Sequence, residues 1–261
     1  MTGPRALLAD LTAWAVETPW CDWLELAGSM ARGADDGASD IDAGLGVEPA
    51  DDDGQDAVAG LVARRDAVLA AVLRLAPVAD SLVQPFGPRA DHLVVQYTDG
   101  RQLSLVVMPA ADRPGLPPGS RAVLDRSGRL SREHRPASWA ATPEQLREHA
   151  FLAWWAVRDA RKHAARGSGW RAAEALHEAR THAWVLLAER AGLAYPTHGV
   201  VAVQNAGVPV PDGWEATLPA GTGPAALDRA TRASAGLLAP LTAPHGVDGL
   251  AALVRAELAA G

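Results

Sequence analysis

Residues 24–47 constrain this chain more than any other stretch. They run Leu-Glu-Leu-Ala-Gly-Ser-Met-Ala-Arg-Gly, cross a short polar loop, and resume as Ala-Ser-Asp-Ile-Asp ahead of a second apolar run. Two strand-like runs, 23–27 and 39–47, thus flank a tight turn at Gly28-Ser29. Side chains alternate along a strand, so Asp40 and Asp42 share one face while Ile41 and Ala43 take the other. Neighbouring carboxylates on one face repel each other unless a cation lies between them. Mg²⁺ fits, because it takes one or two protein carboxylates and completes its shell with water and phosphate oxygens. Gly28 lets the backbone approach a ligand closely, and successive N–H groups at such a turn can form an anion-binding nest. The bland alternative is a polar hairpin with a surface acidic pair.

At 261 residues the chain has room for one large or two modest domains, each with its own core. Its composition, 48% hydrophobic and 21% charged, is that of an ordinary globular protein. A formal charge of −7 argues against extended nucleic-acid binding, which needs clustered Lys and Arg. It leaves room for a small phosphorylated ligand on a local basic patch, and it suits a cationic acceptor. Basic residues are nearly all Arg, Lys162 being the only lysine, a usage that fits a GC-rich bacterial genome. The single cysteine, Cys21, rules out an intrachain disulfide and points to a reducing, cytoplasmic setting. Flanked by Trp20 and Trp23, it reads as a packing residue. No leader pattern opens the chain, and no apolar run is long enough to span a membrane.

Taken in order, residues 5–18 read as an amphipathic helix closed by Pro19, with Leu7, Leu8, Leu11 and Trp14 at helical spacing. Asp51 to Asp53 read as a solvated helix start, and 55–76 as a second helix buried through Val68, Leu69 and Val72. Strands follow at 78–86, 92–97 and 102–108, the last two joined by the Asp99-Gly100 hairpin signal. Asp125-Arg126-Ser127-Gly128 is a further turn candidate between 122–124 and 129–130. After a polar connector at 131–142 the texture becomes helical, with helices expected at 143–166, 169–190, 222–238 and 246–260. The boundary therefore divides the chain into 1–135 and 136–261. The fold class is α/β (α+β): a mixed sheet with flanking helices, then an α-helical domain.

Gly28-Ser29 followed by Asp40-Ile41-Asp42, with Arg32-Gly33 in the loop between, resembles the signature of the DNA polymerase β-like nucleotidyltransferase superfamily. A β-containing half followed by a helical half is similar to the antibiotic (aminoglycoside, kanamycin-type) members. The resemblance implies transfer of a nucleoside monophosphate, AMP from Mg-ATP, to a hydroxyl of a small molecule such as an aminoglycoside-like antibiotic. It implies that Gly28 and Ser29 hold the β- and γ-phosphates, that Asp40 and Asp42 hold Mg²⁺, and that Arg32 steadies the phosphates. It also makes a homodimer the expected assembly.

Family members carry a third carboxylate on a later strand, and here that slot holds Ser104, within Gln102-Leu103-Ser104-Leu105. A neutral hydroxyl cannot balance a second metal ion. Asp91 or Asp99 could replace it, or a general base from the helical half could. The alternatives are a nucleotide-binding or regulatory protein without transfer, or an ATP-using enzyme that adenylates a carboxylate. On helix 143–166, Glu148, Leu152, Trp155, Asp159, Lys162 and Arg166 share a face. Asp159 or Glu148 would serve there as base, Lys162 would neutralise the triphosphate, and Trp155 would stack on a ring. The plainer alternative is a solvated face with Asp159 paired to Lys162 or His163 and Trp155 buried between domains. Arg158 and His163 also resemble the Arg-x4-His motif of HEPN-type ribonucleases. His92, His134, His149 and His198 make no ligand spacing and read as structural or exposed, and His177 and His182 are wrongly spaced for a metal pair. Trp14, Trp139, Trp170, Trp184 and Trp214 read as core or interface residues.

Overall fold

The computed structural model describes residues 3–49, 57–135 and 140–260. The chain divides into two compact units, Met1–Arg135 and Pro136–Gly261. The first is a mixed α/β unit and the second is helical. The acidic run 51–53 and Trp139 lie outside the described residues.

In the first unit, helix α1 (Pro4–Glu17) leads into strand β1 (Cys21–Leu26), a five-residue helix α2 (Gly28–Arg32) and strand β2 (Ile41–Val47). Helix α3 (Ala57–Val72) is followed by β3 (Val78–Pro85), β4 (Asp91–Tyr97), β5 (Gln102–Pro109) and β6 (Arg121–Asp125). The six strands lie in the order β3-β4-β5-β2-β1-β6. Only β2 and β5 run parallel; the other neighbours are antiparallel. Two short expectations change. The Gly-Ser turn opens a helical turn, not a bare loop. The turn expected at 125–128 does bend the chain, but the strand before it, β6, pairs with β1, and a 3-10 turn at Arg129–Ser131 follows.

The sheet has one apolar and one polar face, as alternation dictates. Leu24, Leu26, Ile41, Leu45, Leu93 and Leu105 are fully buried on the apolar side. They pack with Leu7 and Leu11 of α1 and Val68 and Val72 of α3. The Tyr97 hydroxyl donates to the Val72 carbonyl at 2.8 Å, tying α3 to β4. Cys21 belongs to this core, and burial pushes its thiol up to about 12, so it is inert packing. Trp14 meets Trp20 edge-on at 5.9 Å.

The second unit holds α4 (Pro143–Ala165), α5 (Gly169–Arg190), α6 (Val200–Asn205), α7 (Pro224–Thr242) and α8 (Asp248–Ala259). Thr142 and Gln145 form a reciprocal capping box at the start of α4. Leu146, Trp154, Leu186, Leu238 and Val254 share its core. Trp154 donates from Nε1 to Thr242 Oγ1 at 2.9 Å. Trp214 is buried against Trp184, with ring centroids 4.0 Å apart. Trp170 departs from its core assignment: at the first turn of α5 it is 82% exposed. Among the described residues no helix is long and apolar enough to cross a membrane.

Candidate functional site

The polar face of the sheet is where the sequence signature converges. Backbone pairing sets Asp42 on β2 directly across from Ser104 on β5. The Ala27 N–H donates to the Asp42 carbonyl at 2.8 Å, which fixes the end of β1 against the start of β2. Gly28 then takes a φ of +62°, a left-handed conformation that favours glycine. A Cβ at this position would overlap Asp42 Oδ2, so glycine is required twice, by backbone and by space. The Asp42 carboxylate thus lies over the backbone that opens α2. The first N–H groups of a helix have no partner within it, and no side chain caps this one.

Asp40 lies one residue before β2, at the end of the loop rather than inside the strand. That loop is ordered by local bonds: Asp36 Oδ1 accepts from the Ala38 N–H at 2.9 Å and from Ser39 Oγ at 3.1 Å. Asp35 pairs with Arg5 at 2.8 Å. Asp40 is close enough to raise the Asp42 carboxyl, adding to the larger effect of burial. Opposing them are a hydrogen bond from Ser104 and the more distant charges of His92 and Arg32. Burial and the neighbouring acid outweigh these opposing influences at Asp42, an environment that a divalent cation would relieve. Among the described residues, no group of three or more His, Cys, Asp or Glu side chains could hold a metal. Asp40 and Asp42 are the two carboxylates here that could hold Mg²⁺, with water and phosphate filling its shell.

The two acids considered as replacements for the third carboxylate are excluded by position. Asp91 pairs with Val107 in the sheet register, which puts it on the face opposite Ser104. Its carboxylate bonds Arg65 at 3.3 Å. Asp99 sits in its turn, bound by Arg101 at 2.7 Å. The Ser104 hydroxyl instead meets His92 Nε2 at 2.8 Å, and Gln84 Nε2 meets His92 Nδ1 at 3.0 Å. His92 had no sequence signal, because its partners come from two other strands, β3 and β5.

Sequence reading also missed a second acid on this face. Glu25 on β1 pairs with Gly44 of β2, is 3% exposed and forms an ion pair with Arg113. A Cβ on Gly44 would stand 2.9 Å from Glu25 Oε1, and one on Gly46 would overlap the Trp23 indole. The two glycines of β2 thus make room for these side chains. Trp23 donates to the Ala110 carbonyl at 3.1 Å and carries the Arg113 guanidinium 5.8 Å above its ring.

Arg32 and Gly33 border a cavity of about 570 Å³ that is also lined by Arg5, Arg121 and Asp35. Gly28, Asp40 and Asp42 are not among its lining residues.

In the helical unit, Glu148 and Trp155 lie on the exposed face of α4, with Trp155 stacked on Phe151 at 5.9 Å. Asp159 is ion-paired to Lys162. They line a cavity of about 320 Å³ with Arg158, Arg161, Arg166 and Glu257. Glu148 lies eleven residues, or about 16 Å along the helix, before Asp159. Arg158 is bonded to Glu257 at 3.0 Å while His163 is buried, so the two are not displayed together as a ribonuclease motif requires. His149 and His182 meet across α4 and α5, Nδ1 to Nδ1 at 2.9 Å. Single-helix spacing could not reveal that pair.

No family model and no curated protein sequence matches the chain. Among solved structures, it is similar to an aminoglycoside 6-adenyltransferase from Bacillus subtilis at 13% identity. The alignment covers 95% of this chain and 90% of that one, with a TM-score of 0.34. At that score the two folds superpose only loosely.

Proposed function

We propose that this protein is a nucleotidyltransferase that moves a nucleoside monophosphate, AMP from Mg-ATP, onto a hydroxyl of a small acceptor such as an aminoglycoside-like antibiotic. The observation that carries the reading is the Asp42 carboxylate seated over the positive-φ Gly28 with Asp40 beside it. In this reading Asp40 and Asp42 hold Mg²⁺, which when bound supplies positive charge against the polyphosphate. Gly28 and Ser29 present backbone N–H groups to the β- and γ-phosphates, and Arg32 steadies them. The nucleotide and the acceptor class come from the family resemblance of the signature.

A second reading has one observation in its favour. Ser104 stands across from Asp42 where relatives of this type carry an acid, which fits a nucleotide-binding or regulatory protein without transfer. One experiment separates the two: pyrophosphate release from Mg-ATP in the presence of kanamycin, with mass spectrometry of the acceptor. An acceptor heavier by one AMP, absent with Asp42→Asn, supports transfer. Mg-ATP binding without pyrophosphate or adduct, across a panel of hydroxylated acceptors, supports the binding protein.

A further inference from the structure

Three residues on three neighbouring strands form a hydrogen-bonded line that ends at Ser104, directly across from Asp42. Gln84 on β3 contacts His92 Nδ1 at 3.0 Å. His92 on β4 contacts Ser104 Oγ at 2.8 Å through Nε2. Ser104 on β5 stands directly across from Asp42 in the sheet register, and it holds the Asp42 carboxyl down. Phe86 sets the edge of its ring against the imidazole, centroids 6.0 Å apart. The imidazole is therefore held at both nitrogens and at its ring.

We infer that His92, acting through Ser104, accepts the proton that the acceptor hydroxyl loses during transfer; this rests on the nucleotidyltransferase reading above. The position that would carry a third carboxylate, and with it the means of activating the acceptor, instead carries a serine backed by an imidazole. Ser104 has one proton and two acceptors in reach, Asp42 and His92 Nε2. When that proton points at Nε2, the hydroxyl oxygen is open to a proton from the acceptor. The step balances. The acceptor oxygen bonds the α-phosphorus, and the bond from that phosphorus to the bridging oxygen breaks, its electron pair leaving with pyrophosphate. The acceptor's proton passes to Ser104 Oγ as the proton of Ser104 passes to His92 Nε2.

In the relay Nε2 is bare before transfer, so Nδ1 carries the ring proton both before and after it. Gln84 serves both states with its amide turned so that Oε1 accepts from Nδ1–H; with Nε2 toward a bare Nδ1 the ring would carry its proton on Nε2 and could not accept from Ser104. The imidazolium that forms faces the negative charge of Asp42 across Ser104. The partners in contact with it, Gln84 on β3, Phe86 just after β3, and Ser104 and Val106 on β5, are neutral. His92 acts through Ser104 and does not touch the acceptor, so its role is to position and relay.

The test uses the full chain as wild type, His92→Gln and Ser104→Ala. Mg-ATP affinity is measured by calorimetry. Pyrophosphate release is followed from about pH 5 to 8, the window in which imidazoles titrate, with kanamycin and separately with water as acceptor. A base must be unprotonated, so the wild type should lose rate as pH falls. His92→Gln keeps a hydrogen-bonding group but no base. It should lower kcat about 10²-fold, erase that acid limb, and leave the affinity and KM for Mg-ATP within about twofold. Ser104→Ala should match it. An unchanged rate and acid limb in His92→Gln would overturn the relay, as would Mg-ATP binding in the wild type with no release to either acceptor. Loss of Mg-ATP affinity in His92→Gln would also overturn it, since the residue would then only shape the nucleotide site. Wild type that fails to bind Mg-ATP at all removes the transfer reading itself, a result distinct from intact binding without the relay.

Discussion

Two carboxylates on the polar face of one sheet, Glu25 and Asp42, have opposite fates. Both sit on neighbouring strands, and burial is the largest influence on each, raising both carboxyls. Glu25 is sealed by the Arg113 guanidinium, which works against that rise. Asp42 has Asp40 for a neighbour, which adds to it, while Ser104 and the charges of His92 and Arg32 work against it. One acid is closed by its own counter-ion. The other faces a second acid, with opposing charges that do not outweigh burial. A structural acid and a binding acid are thus told apart by what faces them and not by how deeply they lie.

Removing the counter-ion should break the closed case most severely. Arg113→Ala leaves Glu25 buried and unpaired, and should lower unfolding free energy by about 3–5 kcal/mol in urea titrations. The double variant Glu25→Gln, Arg113→Met should recover most of that loss. Next in size is Gly28→Ala, which forces a side chain into a left-handed backbone and against Asp42. It should cost about 1–3 kcal/mol and weaken Mg-ATP binding in the same preparation.

Asp42→Asn should have the opposite sign on stability. The folded carboxyl lies above its ordinary value of 3.8, so the folded state holds its proton longer than the unfolded one. Wild-type stability therefore falls as pH rises from about 3.8 through the raised value, then levels off. Asparagine removes that term. The metal-free variant should melt higher than wild type at pH 7 while its Mg-ATP binding disappears. The smallest effect concerns the helical unit. Burial lowers the basicity of both His149 and His182, so their contribution is present above the ordinary 6.5 and is lost as pH falls through the lowered values. His182→Asn should flatten that acid-side loss in thermal melts.

The sheet and its first half were legible because local chemistry determines them. The Gly-Ser turn, the Asp-x-Asp alternation and the Asp99-Gly100 turn each act over a few residues. The run from Pro143 to Ala165 announces its cap and its apolar stripe. What escaped was made by long-range contact. Glu25 and Arg113 are 88 residues apart, and His149 and His182 are 33 apart on different helices. His92 gains meaning only when β3, β4 and β5 are placed side by side. Trp170 was misassigned because size suggests burial, whereas its place in the opening turn of α5 sends it outward.

The central claim is that Asp40 and Asp42 await a cation carrying a nucleotide. Calorimetric titration of Mg-ATP into wild type and Asp40→Asn addresses it most directly. The account predicts saturable, Mg²⁺-dependent binding to wild type that is lost in the variant. Equal binding by both proteins, or none by the wild type with any nucleoside triphosphate, would contradict it.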